Sequence, residues 1–365
     1  MKKAGDILVT VLFSLILLLG GLGFVFAPKA DYSLAERRPL AGLPEVTPKS
    51  LLSGDAFDGF SAYVTDRFPP REFWRSLKAR WQLCVLRETE NNSLALFDGS
   101  IVRLEKQVNE ASFSYAAERL GGLYDRYLKH TDCRVYAAVV PDKSVFLKEA
   151  GYPVAEFSEV EKAFAKALPF AKQISLSDTL TLGDYYRTDS HWRQEKLLPA
   201  AEKLLTAMGA PAAFPEDLAF NDYSPFLGLY AGFFALPTEA ESIVYLTGGF
   251  LDELTAADPA TREVFPVYDP AGCDPRDPYT LFSGGNRALV RIENPNAGTD
   301  RELTVFRDSF ASSIAPLLAA GYKSVTLVDP RYISPEAIGR YLRFTGGDVL
   351  FLFSFTLLND SHALR

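Results

Sequence analysis

Short apolar runs alternate with amphipathic segments in the C-terminal part of the chain. The apolar runs cover residues 303–306, 324–328 and 349–355. The segments between them, 311–320 and 335–344, carry apolar residues at helical spacing. Strands buried on both faces are continuous apolar runs, and an order of strand, helix, strand joins parallel neighbours through right-handed crossovers. The pattern therefore predicts the α/β fold class, a parallel sheet flanked by helices.

The same alternation begins near residue 100. Residues 111–128 form one amphipathic stripe, 134–140 are a short apolar run that ends at Pro141-Asp142-Lys143, and 159–170 have helical spacing. Residues 215–285 are apolar but rich in glycine, and we predict only irregular or short β structure there. The chain is 48% hydrophobic and 23% charged, which is typical of a folded protein with a sizeable core. We expect one α/β domain over residues 100–365.

The N-terminus carries 21 residues without a charge, from Ile7 to Ala27. As a helix, this run crosses about 30 Å of hydrocarbon. Val25-Phe26-Ala27 is a poor cleavage site and Pro28 hinders cleavage, which favours an uncleaved anchor over residues 1–27 rather than a signal peptide. Lys2 and Lys3 favour a cytoplasmic N-terminus. We therefore expect a single-pass protein of the cell membrane, with the bulk of the chain extracytoplasmic.

Residues 28–99 are expected to be a tether followed by lead-in helices. The part up to Leu52 is rich in Pro, Gly and Ser without a sustained period, which suits an extended tether. Two helices are predicted around the Pro69-Pro70 break, and apolar residues recur along them at helical spacing. These residues are Phe57, Phe60, Tyr63, Phe73, Trp74, Leu77, Trp81 and Val85. Such a stripe is typical of core packing, so we expect it to be buried.

The charge of the chain bears on its partners. The full chain has 38 Lys and Arg against 46 Asp and Glu, and the part after residue 27 has 36 against 45. Nucleic-acid binding needs a clustered basic surface, and the sequence has no such cluster, so we expect no nucleic-acid partner. The three cysteines, Cys84, Cys133 and Cys273, cannot all pair within one chain and match no zinc spacing.

Three residues carry the chemistry of serine catalysis. Asp189 and His191 stand two apart in the segment DYYRTDSHWRQEK, and residues two apart in an extended turn point to the same side. Ser309 lies where the strand over 303–306 gives way to the next helix, at the edge of a parallel sheet where ligands bind. Acyl transfer through serine needs a neutral imidazole near the hydroxyl and a carboxylate that fixes its tautomer. We therefore predict Ser309 as the nucleophile, His191 as the base and Asp189 as its orienting group.

Each of these residues also has a plainer interpretation. Ser309 or Asp308 is a favoured helix N-cap, and the Asp-x-His pair can brace a polar corner beneath a loop. A metal site has the least support, because the pair offers two ligands and no second cluster supplies more. Of the other two histidines, His130 ends a helix and His362 lies close to the C-terminus.

Several short motifs occur in a characteristic order. Thr188-Asp189-Ser190-His191-Trp192 is followed over a hundred residues later by Asp308-Ser309-Phe310 and by Val328-Asp329-Pro330-Arg331-Tyr332. This order resembles the bacterial DHHW family and the related alginate O-acetylation proteins with SGNH-hydrolase-like domains, although Ser190 stands where the family name has histidine. Further stretches also match: Ala35-Glu36-Arg37-Arg38-Pro39-Leu40, Asp66-Arg67-Phe68-Pro69-Pro70-Arg71, Pro141-Asp142-Lys143 and Gly284-Gly285-Asn286. The match covers nearly the whole chain after the apolar run.

The resemblance implies an SGNH-type fold and the same triad of Ser309, His191 and Asp189. It implies serine-dependent O-acyl transfer, with acetyl as the expected group, on a cell-surface or exported polysaccharide. A transferase of this type needs an acyl donor delivered across the membrane, so a multispanning membrane acyltransferase is an expected partner; no cofactor is expected. A carbohydrate acetyl esterase with the same triad, or a non-catalytic scaffold or glycan-binding subunit of an export complex, are the competing functions.

Four further residues are predicted to contact the substrate: Asn286, Lys143, Trp192 and Arg331. Asn286 and Lys143 lie where loops can reach the crevice, and Asn286 can donate to an oxyanion or a sugar. Gly-Gly-Asn is also ordinary turn chemistry, and a lysine after Pro-Asp is usually solvated. Trp192 either packs beneath the histidine or contacts sugar, since its ring is amphipathic. Arg331 belongs to the last of the matching motifs.

Overall fold

A computed structural model describes residues 2–26, 28 and 30–365. Ala27, the predicted end of the anchor, lies outside these residues. The helices are α1 Lys2–Phe26, α2 Pro48–Ser53, α3 Asp55–Arg67, α4 Arg71–Arg80, α5 Glu110–Tyr127, α6 Phe157–Ala167, α7 Leu198–Ala207, α8 Leu229–Phe234, α9 Ala311–Leu318, α10 Pro335–Tyr341 and α11 Phe355–Asn359.

The strands come in four sheets. They are β1 Tyr32–Ser33, β2 Arg38–Pro39, β3 Leu94–Phe97, β4 Ser100–Arg103, β5 Arg134–Val140, β6 Lys172–Gln173, β7 Ala219–Phe226, β8 Glu241–Thr247, β9 Thr255–Ala257, β10 Val264–Phe265, β11 Leu289–Glu293, β12 Glu302–Arg307, β13 Ser324–Val328 and β14 Asp348–Ser354.

The chain divides into two compact units. The first, here called the helical unit, contains the residues up to 92 together with 231–238. The second, here called the α/β unit, contains residues 93–230 and 239–365. The domain limits expected from the sequence, 28–99 and 100–365, stay predictions.

An eight-stranded sheet forms the centre of the α/β unit, in the order β10-β9-β11-β13-β12-β14-β5-β6. The strands β13, β12, β14, β5 and β6 are parallel neighbours, and the strands on the β11 side pair antiparallel. The predicted fold class is confirmed: a largely parallel sheet between helices. The boundaries 134–140 and 324–328 match β5 and β13, because each is an apolar run with polar or proline residues beyond its ends.

Helices cover both faces of this sheet. Along β14, Leu350 and Leu352 join one core cluster with residues of α7 and α9, whereas Phe351 and Phe353 join a second cluster with residues of α5, α6, α10 and α11. Successive side chains of a strand point to opposite faces, so an unbroken apolar run supplies both cores at once. At about 25 cal/mol per Å² of buried apolar surface, these two clusters are the main stabilising term of the unit.

Residues 215–285 contain more regular structure than the sequence indicates. The strands β7 and β8 form an antiparallel hairpin, and α8 lies in the connection between them. The prediction of irregular or short β structure misses this pairing. Most residues of β7 are exposed, so the strand lacks the alternation that reveals a half-buried strand.

The helical unit contains the one helix among the described residues that is long and apolar enough to cross a membrane. The apolar part of α1, Gly5–Phe26, has 22 residues, and none of the qualifying segment is buried. A helix of this length near the N-terminus is also what a signal sequence would form. Its length and composition agree with the predicted anchor.

The aromatic stripe of the lead-in helices is not a core, so that prediction is wrong. Phe57 is 67% exposed, Phe73 56% and Trp81 56%, while Tyr63 is buried. The described residues of the helical unit contain no large sheet for these helices to pack on, and a spacing of 3.6 residues reports only that one face is apolar. The expected extended tether likewise contains the short pair β1 and β2 and the capped helix α2.

Ion pairs connect the segments of the helical unit. Arg38 donates to both carboxylate oxygens of Asp66, at 2.8 and 2.6 Å, and Arg71 pairs with Glu36. Arg75 reaches the other oxygen of Glu36 at 3.2 Å. Glu36 and Asp66 are 8% and 7% exposed, so their charges are largely withdrawn from water and are balanced by the arginines.

Candidate active site

Ser309 lies at the carboxyl end of β12, in the two-residue turn before Phe310 and helix α9. The side chain of Asp308 holds this turn: one carboxylate oxygen accepts the Phe310 N–H at 3.1 Å. The other oxygen accepts the backbone N–H and the hydroxyl of Ser354, at 2.8 and 2.6 Å. Asp308 therefore ties the serine turn to the end of the neighbouring strand β14, and the Ser309 hydroxyl is left for another partner.

The Asp-x-His segment forms a tight reversal of the chain. A β-bridge joins Tyr185 to Trp192, and the Tyr186 N–H donates to the His191 carbonyl at 3.0 Å. The Asp189 carboxylate accepts the backbone N–H of His191 at 3.1 Å and that of Leu229 at 2.9 Å. These two backbone hydrogen bonds fix the position of the Asp189 carboxylate independently of its contact with the imidazole.

The side chains of Asp189, His191 and Ser309 converge. Asp189 Oδ1 is 2.6 Å from His191 Nδ1, and His191 Nε2 is 2.8 Å from Ser309 Oγ. The carboxylate only accepts hydrogen bonds, so the neutral tautomer that satisfies both contacts has its proton on Nδ1 and accepts the serine proton at Nε2. The Asp189 side chain is 3% exposed and that of His191 is 16% exposed. A substrate can therefore reach the base but not its orienting group.

Lys143 lies beneath this loop rather than in the crevice. Its side chain has no exposed surface, and its ammonium donates to the carbonyls of Tyr186 and Asp189, both at 2.9 Å. Burial lowers the pKa of Lys143 to about 8, although Asp142, Asp189 and Glu241 act in the opposite direction. The predicted contact between Lys143 and the substrate is therefore wrong, because the protein interior encloses the ammonium and uses it to hold the loop.

Thr188 forms hydrogen bonds with two other segments of the chain. Its hydroxyl donates to Glu241 at 2.6 Å, and it accepts the Gly228 N–H at 2.9 Å. The Glu241 carboxylate also accepts the Thr188 N–H at 2.8 Å. A Cβ added at Gly228 would lie 2.3 Å from the Thr188 carbonyl oxygen and 2.4 Å from Asp189 Cβ. Only glycine allows these two segments to approach so closely.

The floor of the site is aromatic. Trp192 is fully buried and donates to the Phe310 carbonyl at 3.0 Å and to Ser313 Oγ at 2.9 Å. It packs beneath the catalytic candidates and cannot contact a sugar, so its predicted role in substrate binding is wrong. Tyr279 stacks on His191, with ring centroids 3.8 Å apart and planes inclined by 16°. Its hydroxyl donates to the same Ser313 oxygen at 2.8 Å, and burial raises its pKa.

A small polar crevice opens above Ser309, with a volume of about 80 Å³. The residues that line it are His191, Asp277, Tyr279, Thr280, Gly285, Asn286, Ser309, Ser312 and Arg331. The structure thus brings Asn286 and Arg331 to the predicted serine, and their contact with substrate stays a prediction. Asn286 is exposed at the rim.

Aspartate Asp329 holds Arg331 at the crevice through two bonds, at 2.9 and 2.6 Å. Burial acts to lower the pKa of Arg331, but these bonds and the charge of Asp329 outweigh it and the net shift is upward. A second arginine, Arg307, is buried and donates to the carbonyls of Asp308 and Arg287 and to the Ser312 hydroxyl, so it braces the loops from inside. Among residues 2–26, 28 and 30–365, no group of three or more His, Cys, Asp or Glu side chains is placed to hold a metal ion.

The roles of Tyr279, Glu241 and Gly228 cannot be predicted from the sequence. All three lie in the stretch without a clear period, where neither helical nor strand spacing identifies a position. Gly228 follows an apolar residue and precedes Leu229-Tyr230, and nothing in this pattern distinguishes a close approach from a turn. The aspartates at the sheet edge can be located from the sequence, since Asp142, Asp308 and Asp329 each follow an apolar strand closely.

Solved structures of similar fold have low sequence identity to this chain. A DHHW family protein from Eubacterium siraeum matches with a TM-score of 0.54 and 18% identity, over 75% of this chain and 94% of that chain. Bacillus cereus PatB1, in a structure with a sulfonyl adduct, matches with a TM-score of 0.56 and 20% identity, over 73% of this chain and 97% of that chain. The relation indicated by the motifs is confirmed at the level of the fold.

A weaker similarity exists to the O-acetyltransferase domain of Pseudomonas putida AlgJ. The TM-score is 0.44 at 13% identity, over 73% of this chain and 92% of that chain, and a score at this level does not establish a shared fold. No family model matches the sequence. No curated protein sequence matches it significantly.

Proposed function

We propose that this chain is a serine-dependent O-acyltransferase that moves a small acyl group, acetyl, to or from a polysaccharide outside the cell membrane. The observation that carries the proposal is the hydrogen-bonded series from Asp189 through His191 to Ser309, at 2.6 and 2.8 Å, beneath an open crevice. A serine hydroxyl becomes an effective nucleophile when an oriented imidazole accepts its proton. The fold of PatB1 and of the DHHW family protein is consistent with this chemistry.

In the first half of the reaction, Ser309 Oγ attacks the carbonyl carbon of an acyl ester while His191 Nε2 takes the hydroxyl proton. The Asp189 carboxylate stabilises the imidazolium that forms. His191 then returns the proton to the leaving oxygen, and the acyl group stays on Ser309 as an ester. In the second half, His191 deprotonates a sugar hydroxyl, which attacks the acyl-serine and releases Ser309 with its proton restored.

The charge that develops on the acyl oxygen needs donors in the crevice. Asn286 lines the crevice with a side-chain amide, and the backbone N–H of Ser309 lies at the start of the turn before α9. Such preorganised donors are often the largest single contribution to acyl-transfer catalysis. Arg331, held by Asp329, adds a fixed cation at the same opening. We assign Asn286 to the oxyanion and Arg331 to the substrate.

The crevice beside Ser309 is small, with a volume of about 80 Å³, and it opens to solvent. Acetyl is the group to test, since the resemblance of the motifs implies it. A carbohydrate acetyl esterase would use the same groups with water as the acceptor, so the acceptor is what separates the two activities.

Replacing the nucleophile tests the proposal. Ser309→Ala is expected to lower the turnover of nitrophenyl acetate by about a thousandfold or more, since triad residues act as a unit. A sulfonyl fluoride is expected to modify the wild-type protein at Ser309, as found by peptide mass spectrometry. Ser177→Ala, at an exposed serine of the same unit that bonds only to its neighbours, is the matched control and should retain full turnover. Wild-type turnover in folded Ser309→Ala protein would contradict the proposal.

The acceptor is identified by analysis of the products. With an acetyl ester and a polysaccharide present together, a transferase gives O-acetylated polymer, whereas an esterase gives only acetate. A non-catalytic scaffold gives neither product and is not labelled at Ser309. These three outcomes separate the competing functions.

The α1 helix is proposed to be an uncleaved anchor that holds the protein at the outer face of the membrane. Its apolar part of 22 residues supports this role. A multispanning acyltransferase in the same membrane would supply the acyl donor, because a cytoplasmic thioester cannot reach the site otherwise. N-terminal sequencing of the purified protein tests the anchor, and a mature N-terminus near Pro28 would contradict it. Protection of the bulk of the chain from protease in intact protoplasts would contradict its location outside the membrane.

A further inference from the structure

The helix α4 and the turn that continues it present one exposed apolar face. Its members are Phe73, Trp74, Leu77, Trp81 and Val85, each between 39% and 56% exposed. We call this set the aromatic face. At Trp81–Val85 the helix widens to a π-turn, in which the Leu86 N–H donates to the Trp81 carbonyl at 3.0 Å. Contiguous exposed apolar surface of this kind marks a site of interaction with a partner or a membrane.

Phe68 lies between the anchor helix and the aromatic face and contacts both. A Cβ added at Gly20 of α1 would lie 2.7 Å from the Phe68 ring, so glycine at this position lets the ring pack against the helix. The Phe68 and Trp74 rings are 6.4 Å apart, and the Trp74 and Phe73 rings are 5.2 Å apart. On the other side of the same junction, Phe24 packs edge-on against Tyr63 at 5.8 Å.

The level of this contact along α1 follows from helix geometry. Gly20 precedes Phe26, the last residue of the apolar span, by six residues, which is about 9 Å along a helix axis. The whole span is about 33 Å long, close to the thickness of the hydrocarbon core. If the span crosses the bilayer, the Phe68 ring therefore contacts it about 9 Å inside its outer end, in the outer third of the hydrocarbon, and Trp74 adjoins that ring. The aromatic face cannot be far above the headgroups.

The charge of α4 suits the same location. Between Arg71 and Arg87 the sequence has five basic residues and one acidic residue, although the chain as a whole is acidic. Lys78, Arg80 and Arg87 are exposed. Aromatic rings with basic flanks are the composition of helices that lie in the interface of anionic bilayers, with their apolar side among the upper acyl chains.

We propose that the aromatic face lies in the outer interfacial layer of the membrane that holds α1. Its rings insert among the headgroups and the upper acyl chains, and Lys78, Arg80 and Arg87 contact lipid phosphates. The anchor and this face together form a two-point attachment, which fixes the tilt of the helical unit instead of leaving it on a single flexible stalk. The inference rests on the proposed anchor, because the depth of Phe68 is set by α1.

Tryptophan emission provides a direct test, because the chain has three tryptophans and two belong to the aromatic face. Full-length protein is reconstituted into phosphatidylcholine vesicles that contain about a quarter phosphatidylglycerol, an anionic lipid that the basic side chains of α4 can contact. Lipids brominated near the headgroup end of the acyl chain should quench the emission more than lipids brominated near the chain end. The double variant Trp74→Phe/Trp81→Phe retains only the buried Trp192 and should show no quenching. The single variants divide the effect between the two positions.

Charge reversal sharpens the test. Lys78→Glu/Arg80→Glu should weaken the shallow quenching and restore access of iodide to Trp74 and Trp81. The matched control, Lys162→Glu on the exposed surface of α6, should leave both signals unchanged. Quenching that does not depend on Trp74 or Trp81, or that is equal in the charge variant, would overturn the proposal.

The remaining outcomes distinguish failure of the interfacial contact from failure of the anchor. If the protein floats with the vesicles but lipid bromine does not quench its emission, the anchor stands and the aromatic face is not at the membrane. Shielding from iodide without lipid quenching would also overturn the proposal and would indicate that a second copy or another protein covers the face. If the full-length protein does not float, the anchor fails and the inference falls with it.

Discussion

The helical unit and the α/β unit use aromatic side chains in opposite ways. Among the described residues, 30–92 expose thirteen large apolar side chains, whereas the much longer α/β unit exposes six. Trp192 and Phe310 of the α/β unit are almost completely buried, while Trp81 and Phe73 of the helical unit are more than half exposed. Helical spacing of apolar residues thus identifies a face, and the presence or absence of a covering layer decides whether that face is a core.

What covers the apolar side chains differs in the two units. In the α/β unit the sheet offers two faces, and β14 alone contributes to clusters on both of them. No such layer occurs in the part of the helical unit that the structure describes, and its charged side chains are joined by ion pairs around Glu36 and Asp66 instead. We therefore expect burial to dominate the stability of one unit and charge to contribute visibly to the other.

Removing an aromatic ring from each unit gives the largest expected contrast. Phe306→Ala, at a fully buried ring stacked on Phe351 at 4.9 Å, should lower the free energy of unfolding by about 3–5 kcal/mol. Phe73→Ala should change it by no more than about 0.5 kcal/mol in detergent, because an exposed ring leaves no cavity. Urea unfolding of the full-length protein measures both. Equal losses at the two positions would mean that the aromatic face is covered within the protein.

A single added methyl group tests the close approach at the site. Gly228→Ala should destabilise the α/β unit by about 3 kcal/mol and abolish ester turnover, because the new Cβ meets the backbone at Thr188. The control, Gly122→Ala on α5, meets no atom within 4 Å and should stabilise the helix by about 0.5–1 kcal/mol. Thermal unfolding and turnover are measured together. Full turnover in Gly228→Ala would show that the Thr188 loop tolerates displacement.

The buried ammonium of Lys143 predicts a dependence of stability on alkaline pH. Its pKa in the folded protein, about 8, is below the ordinary value of 10.5. Between these values the unfolded chain binds more protons than the folded one, so the free energy of unfolding should rise with pH relative to Lys143→Met. Urea unfolding at several pH values gives the difference. Adding salt should change this free-energy difference little, since the ammonium is buried. A difference that falls over this range would contradict the assignment.

The ion pairs of the helical unit predict the smallest change in the free energy of unfolding, and this change depends on pH in the acid range. Arg38, through its two bonds, and the Ala41 N–H lower the pKa of Asp66. The stabilisation is therefore present above the ordinary carboxyl pKa of about 4 and is lost as the pH falls below it. Asp66→Asn should cost about 1–2 kcal/mol at neutral pH and nothing in strong acid. Amide hydrogen exchange in α3 and α4 measures the change locally. Unaltered exchange at neutral pH would contradict it.

The parts of the fold that follow from apolar runs could be predicted from the sequence. The strands β5 and β13 have boundaries that proline or polar residues make visible, and Pro335 marks the start of α10. The hairpin of β7 and β8 could not be found in this way. Its residues are mostly exposed or only partly buried, so their hydropathy carries no period and only tertiary pairing selects the strands.

The candidate site could be predicted from the sequence for a different reason. Every histidine of the chain has an aspartate two positions away, so that spacing alone does not select His191. The order of the surrounding motifs, Thr188 to Trp192 and later Asp308-Ser309-Phe310, does. The burial of Lys143 cannot be predicted from the sequence, because a lysine after Pro-Asp is usually solvated and the carbonyls that enclose this one belong to residues 186–189. The stacking of Tyr279 on His191 cannot be predicted from the sequence, since it depends on the fold of an irregular segment.

The order of strands in the sheet has a consequence for how the protein is made. The strand β5 pairs with β14, although Arg134 and Asp348 are 214 residues apart. At about 5–20 residues per second, a ribosome releases the second strand roughly 10–40 s after the first. Until then β5 has no partner on that side, and the turn that carries Ser309 lacks the Ser354 bonds to Asp308. A prematurely terminated chain therefore cannot build the centre of the sheet, and quality-control proteases meet it with its strand edges open.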